Sequence, residues 1–225
     1  MIRIKNLDKI FNPSTKKAAH VLKEINLQIN KGELVILKGV SGSGKSTLLS
    51  IISAMDKPTS GEVIVDGKAV SKLPDIHASH FRANSIGFIF QHFNLLDELS
   101  VKDNISIVLI PLGLSIKTVD EKVQKSMELA NISHKADQQV KELSGGEKQR
   151  CAIARALVND PGIILCDEPT ANLDRTNSLH FIELVKTLQK MGKTIVIATH
   201  DPLFEEAGFH DSILHMSDGE LGEPK

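Results

Sequence analysis

The chain has 225 residues, 27 basic and 28 acidic side chains, and neither tyrosine nor tryptophan. This length suits one substantial core, with or without an inserted subdomain, and the near-cancelling charge argues against a global polybasic surface for nucleic acid or an anionic membrane. Cys151 and Cys166 sit in apolar runs without metal-ligand spacing and read as buried thiols of a reducing, cytosolic setting; no signal-peptide core opens the sequence, and its most apolar stretch, 105–114, falls short of the about 20 residues that span a bilayer.

In chain order, VLKEINLQIN alternates Ile25, Leu27 and Ile29 with polar neighbours, as a half-exposed antiparallel strand does. LVIL at 34–37 is apolar without alternation, the pattern of a strand buried on both faces. It runs into GVSGSGKST at 39–47 and then a helical pattern, TLLSIISAM. GEVIVDGK alternates Val63 and Val65 before an Asp66-Gly67 turn, and IGFIF at 86–90 is another doubly buried strand. No comparable strand run follows until 159. TVDEKVQKSMELAN in that interval carries Thr118 and Glu121 as a capping box, with Val119, Val123, Met127 and Ala130 on one stripe. LSGGEKQR at 143–150 opens an apolar helix, and IILC at 163–166 and TIVIA at 194–198 complete the buried strands. Strands alternating with helices predict an α/β fold, a mainly parallel sheet flanked by helices, with an antiparallel β layer beside it. We expect one domain, its core at about 1–90 and 159–225 and an inserted helical subdomain at about 91–158.

Gly39, Gly44, Lys45 and Ser46 match G-x-x-x-x-G-K-[ST] between a buried strand and a helix, the context the motif requires. Bare backbone lets N–H groups approach phosphate oxygens, and the helix presents its positive end to the same anion. Lys45 supplies a mobile point charge, and the Ser46 hydroxyl suits Mg²⁺. A metal-binding acid is then needed elsewhere in the sheet. IILCDE offers Asp167, to hold the metal directly or through water, and Glu168, to orient or deprotonate an attacking water, at the carboxyl edge where open α/β sheets bind ligands. In LSGGEKQR, Ser144 and Glu147 form an S-x-x-E capping box, which by itself is an ordinary helix start. Gly145 and Gly146 cost a helix about 1 kcal/mol each against alanine, and with Ser144 they suit a second anion site at the helix dipole.

Taken together, these runs resemble the ATP-binding cassette family. GVSGSGKST is similar to its phosphate loop, LSGGE to its signature, ILCDEP to its metal and catalytic strand, ANLD at 171–174 to its dimer-contact loop and ATHD to its switch histidine, His200. Gln91 resembles the glutamine that opens the family's helical subdomain, and the motifs keep family order from about 2 to 221. The resemblance implies a P-loop NTPase core and an ATPase that works as a homodimer, two ATP molecules held between the phosphate loop of one copy and the signature of the other. It places Ser41, Gly42, Ser43 and Thr47 with the phosphate-binding residues, and Ser144, Gly145 and Gly146 against the partner's nucleotide. Glu168, His200, Lys45 and Gln91 become catalytic, Gln91 also linking Mg²⁺ to the partner surface, and Asp174 relays between sites. Family adenine stacks on an aromatic, commonly tyrosine; here Phe11 is the candidate, with a core position as its alternative. Glu147 stands where many relatives have glutamine.

Among cassettes, DKPTSGEV, FRANSIGFIFQHFNLL and PTANLD look most like the lipoprotein-releasing, macrolide-export and cell-division group. That implies peripheral attachment, on the cytoplasmic side of the membrane, to separate permease subunits and no nucleic-acid partner. Phe93, Leu95 and Leu96 would line the groove for a permease helix or pack the helical core. The alternative in this group is a regulatory ATPase that signals through a membrane partner without transport. A chromosome-organising ATPase would need a long coiled coil before the signature, and no sustained heptads lie between 48 and 142. A translation-associated protein would normally carry two cassettes.

Overall fold

A computed structural model describes residues 1–222. The chain opens with β1 (Ile2–Phe11) and β2 (Ala19–Ile29), paired antiparallel from Ile2 opposite Ile29 to Phe11 opposite Ala19. β3 (Leu34–Lys38) runs through the glycine-rich turn into α1 (Lys45–Ile52). β4 (Ser60–Val65) and β5 (Lys68–Ala69) form a hairpin about Asp66-Gly67, followed by α2 (Asp75–Ser85) and β6 (Ile86–Ile89). The next stretch carries α3 (Val101–Ser106), a tight helical turn over Ile107–Leu112, α4 (Ile116–Leu129) and α5 (Gly145–Leu157). β7 (Ile163–Asp167), α6 (Arg175–Lys190), β8 (Thr194–Thr199), α7 (Leu203–Glu206), β9 (Ser212–Ser217) and β10 (Glu220–Gly222) close the chain.

Two sheets result. One is antiparallel, in the order β2-β1-β4-β5; the other runs β10-β9-β3-β8-β7-β6, with every pairing from β9 to β6 parallel and β10 antiparallel at its edge. Alternate side chains of the parallel strands enter different cores. Leu34, Ile36, Ile164, Cys166, Ile195 and Ile197 pack with α5, α6 and the helical segment. Val35, Leu37, Ile163, Leu165, Val196 and Ala198 pack with Leu48, Leu49 and Ile52 of α1 and with Ile2, Ile4, Val63 and Val65 of the antiparallel sheet. The unbroken apolar runs follow from this: with a core on each side, neither set of alternate positions faces water. Both cysteines are buried and unpaired, and burial pushes the Cys151 thiol up to about 12.

The expected cap of α4 is corrected. Ser115 is the N-cap, its hydroxyl accepting the Thr118 N–H at 3.2 Å, so Thr118 lies inside the helix and Glu121 has no capping role. Serine three residues upstream takes the role first. Val123, Met127 and Ala130 are buried along the expected stripe, with Val119 packed against it. Two strands without a clear period in the sequence, β1 and β9, are also present. In β1 the alternation begun by Ile2 and Ile4 breaks at Asn6, whose φ of 45° and the register shifts around it put Leu7 back on the buried face.

Candidate active site

The turn from β3 to α1 is shaped by crowding as well as by what it could bind. A Cβ on Gly39 would overlap the carbonyl oxygen of Met216 in β9 and come within 2.7 Å of Ser43 Oγ. Gly44 caps α1 in a left-handed conformation, φ 106°, and its Cβ would lie 2.9 Å from Leu22, Met216 and the Val21 carbonyl. Within this turn Lys45 is 5% exposed, its Nζ donating to the carbonyls of Gly39 at 2.7 Å and Val40 at 3.1 Å. The lysine is thus aimed by the loop's own backbone.

The acids arrive on the neighbouring strands. β7 ends at Asp167, whose Oδ1 accepts the Ser46 hydroxyl at 2.9 Å. Burial raises the pKa of Asp167, the nearby Glu168 charge adds to that, and the Ser46 hydrogen bond opposes it. Glu168 then turns left-handed, φ 45°, with its N–H on the Ala198 carbonyl of β8 at 2.8 Å. That turn separates the two adjacent acids. Glu168 Oε1 lies 2.9 Å from His200 Nδ1 and 3.6 Å from Lys45 Nζ, while Oε2 accepts from Thr199 Oγ1 at 3.2 Å and the His200 N–H at 3.3 Å. The His200 ring is exposed directly after β8. Three parallel strands therefore deliver a cation, two carboxylates and an imidazole to one carboxyl edge.

A cleft of about 270 Å³ lies there, lined by Ser41, Gly42, Gly44, Lys45, Ser46, Thr47, Gln91, Glu168 and His200, with Val21 of β2 as a wall the sequence reading missed. Val21 is one apolar residue in a strand, and nothing local marks it. Ser43 differs from expectation: its side chain is buried under the turn with Oγ unpartnered, its N–H donates to the Val40 carbonyl at 3.2 Å, its carbonyl accepts the Gly219 N–H at 3.1 Å, and it does not line the cleft. Phe11 is 40% exposed at the end of β1, outside both the cleft lining and the core. It pairs with Ala19, two residues before Val21, and Lys9 Nζ lies 4.7 Å from its ring centroid.

The signature residues lie elsewhere. Ser144 caps α5 in a complete capping box: Glu147 Oε2 accepts both the Ser144 N–H and hydroxyl at 2.8 Å. Those bonds, backbone first, with Lys135 behind them, lower the Glu147 pKa to about 2. Gly146 is bare partly for packing, since its Cβ would meet the Asn177 amide at 3.1 Å, whereas Gly145 has only the Asn172 carbonyl at 3.9 Å. None of Ser144, Gly145 and Gly146 lines the Lys45 cleft. Asp174 caps α6, accepting the Asn177 N–H at 2.8 Å.

Ser46 and Asp167 provide two hard oxygen donors side by side, and among the described residues no cluster of three or more His, Cys, Asp or Glu could hold a metal alone. The set fits Mg²⁺, which typically takes one or two protein oxygens and completes its shell with phosphate and water.

A second cavity, about 420 Å³, opens between α2, α5 and the Ile107–Leu112 turn, lined by Phe88, Phe90, Leu96, Ile107, Pro111 and Arg155 among others. Leu96 lines it, whereas Phe93 and Leu95 do not; Leu95 packs on the core. Positive φ at Phe93 and Asn94, 60° and 50°, turns the chain there, and Arg155 binds both their carbonyls. Among the described residues no helix is long and apolar enough to cross a membrane.

Residues 22–171 match the family described as ABC transporter. The lipoprotein-releasing system ATP-binding protein LolD of Bacteroides thetaiotaomicron is 40% identical over 222 residues, covering 98% of this chain and 99% of its own. The macrolide export ATP-binding/permease protein MacB of Campylobacter jejuni is 39% identical over 98% of this chain, which spans only 33% of that larger relative. The solved dimeric, post-hydrolysis structure of the ATP-binding cassette MJ0796 of Methanocaldococcus jannaschii, bound to ADP and Pi, matches with a TM-score of 0.92 at 38% identity, covering 100% of this chain and 98% of that one.

Proposed function

This chain belongs to the ABC transporter family as one of its ATPase cassettes, and from that premise we propose that two copies close around two ATP molecules to drive a separate membrane permease. The observation that carries the reading is the division of the site: Lys45, Ser46, Gln91, Glu168 and His200 share one cleft, and Ser144, Gly145 and Gly146 stand outside it. A second copy, facing the first, supplies them.

In this reading the backbone of the turn between β3 and α1 cradles the phosphates, Ser41, Gly42 and Gly44 through their N–H groups, and Lys45 neutralises the β- and γ-phosphate oxygens. Phe11 offers its exposed face to adenine. Ser46 and Asp167 would hold Mg²⁺, with Gln91 in the same cleft as Ser46, and the ion would offset phosphate charge. Glu168 accepts a proton from, or orients, the water whose oxygen attacks the γ-phosphorus as the bond to the bridging oxygen breaks, giving ADP and phosphate. His200 contacts the γ-phosphate, and Asp174 couples one site to the other.

The apolar cavity beside Leu96 and Ile107, both partly exposed, supports docking of an apolar permease helix and hence a position on the cytoplasmic side of the membrane. Nearly equal identity to LolD and MacB supports a release or export type. Glu168→Gln tests the reading: ATP binding is kept, turnover falls by about 100-fold or more, and an ATP-dependent dimer accumulates on size exclusion. Normal steady-state hydrolysis by that variant rejects it.

A further inference from the structure

Glu168 is held from behind by a partly buried chain of hydrogen bonds through Thr199, Asp201 and Thr170, residues given no role above. Thr199, the last residue of β8, is 1% exposed, and Thr170, two residues beyond Glu168, is 5% exposed. The Thr199 hydroxyl accepts the Asp201 N–H at 3.0 Å. Its one proton is therefore free for Glu168 Oε2, 3.2 Å away, and because an ionised carboxylate only accepts, the direction of that bond is fixed. Asp201 is pinned in turn: Oδ2 accepts the Thr170 hydroxyl at 2.7 Å and Oδ1 accepts the Leu203 N–H at 3.0 Å. The chain runs Thr170 to Asp201 to Thr199 to Glu168 and closes on its own loop.

We infer that Thr199 is the positioning residue for Glu168, fixing Oε2 so that Oε1 is the oxygen presented beside Lys45 and His200. The inference rests on the reading of Glu168 as the group that handles the attacking water. Three features carry it. The left-handed backbone at Glu168 is a conformation that surrounding structure must hold in place. A glutamate side chain has several rotatable bonds, and the donors on Oε2, the Thr199 hydroxyl and the His200 N–H, remove that freedom before substrate arrives. Thr199 is a full residue away from the switch histidine's ring and does not line the cleft, so it acts through Glu168 and not on nucleotide.

The test compares Thr199→Val, which keeps shape and loses the hydroxyl, with Thr199→Ser, which keeps the hydroxyl. We expect Thr199→Val to lower kcat by about tenfold to a hundredfold, the effect of losing one hydrogen bond to a charged group, with KM for ATP and nucleotide affinity within about twofold of wild type. Thr199→Ser should keep at least about half of kcat. In a Glu168→Gln background, Thr199→Val should lower the residual rate no further, because the two residues act as one unit. Unchanged kcat in Thr199→Val overturns the inference, as do equal losses in the Val and Ser variants or a loss confined to KM. If Thr199→Val does not fold, Thr170→Val carries the same decision from the far end of the chain: lower kcat at constant KM supports positioning, and wild-type kcat overturns it. Loss of turnover in Glu168→Gln beside normal kcat in Thr199→Val removes only this inference, whereas normal turnover in Glu168→Gln removes the reading beneath it.

Discussion

Gly39→Ala separates the two reasons a phosphate loop is bare. Gly39 stands where β3 leaves its pairing with β9, just past the Lys38–His215 partners. An added Cβ would overlap the Met216 carbonyl oxygen and lie 3.2 Å from its carbon, so main chain, and not a movable side chain, blocks it. Ser43 Oγ, 2.7 Å away, can rotate; the end of β9 cannot, because the Gly219 N–H is tied to the Ser43 carbonyl at 3.1 Å. Relieving the overlap takes a shift of about 1 Å in a packed strand, near the upper end of overpacking costs, about 2–3 kcal/mol. For a domain of this size that is a fall in Tm of about 5–10 °C. Gly42→Ala is the control. Nothing lies within 4 Å of its Cβ, and its cost is the left-handed φ of 81° alone, about 1–2 kcal/mol and partly offset by the stiffer unfolded chain. Thermal unfolding followed by circular dichroism, with and without ATP, should rank the variants Gly39→Ala well below Gly42→Ala, and Gly39→Ala should also show the smaller ATP-induced rise. A Gly39→Ala protein melting within about 1 °C of Gly42→Ala would refute the steric account.

Asp167→Asn should raise the Tm of the nucleotide-free protein by about 2 °C, since it removes a partly buried charge and leaves an oxygen for the Ser46 hydroxyl, while Mg²⁺-dependent hydrolysis is lost; a lower Tm contradicts the desolvation argument. Glu147 has a folded pKa of about 2 against an ordinary 4.5, so its contribution is present above about 4.5 and is lost as pH falls toward 2. Glu147→Gln, which can still accept the Ser144 N–H, should flatten the acid limb of the stability profile in that window, and an unchanged limb argues against the assignment. Ser144→Arg should stop hydrolysis while ATP still binds the Lys45 cleft, which equilibrium nucleotide binding and phosphate release would measure separately; an unchanged rate counts against the facing-copy arrangement.

Much of this architecture is local chemistry and was legible in order along the chain. The runs at 34–37, 86–90, 163–166 and 194–198 each become a strand of one parallel sheet, because a strand with a core on both faces has no polar face to show. The glycines, Lys45 and Ser46 announced a phosphate turn because only bare backbone between strand and helix can make one. Other features depend on residues far apart in sequence. Ser46 finds Asp167 only because β7 lies two strands from β3, and Glu168 finds Thr199 and His200 only because β8 lies between them. Val21 becomes a wall of the cleft through the antiparallel sheet. The bareness of Gly39 answers to Met216, 177 positions on, as well as to any phosphate. Sequence by itself determined which chemical groups the protein carries and the fold class that their spacing permits. Tertiary structure alone decided which of those groups touch, because contacts between strands depend on sheet order and register, and neither is written in the neighbours along the chain.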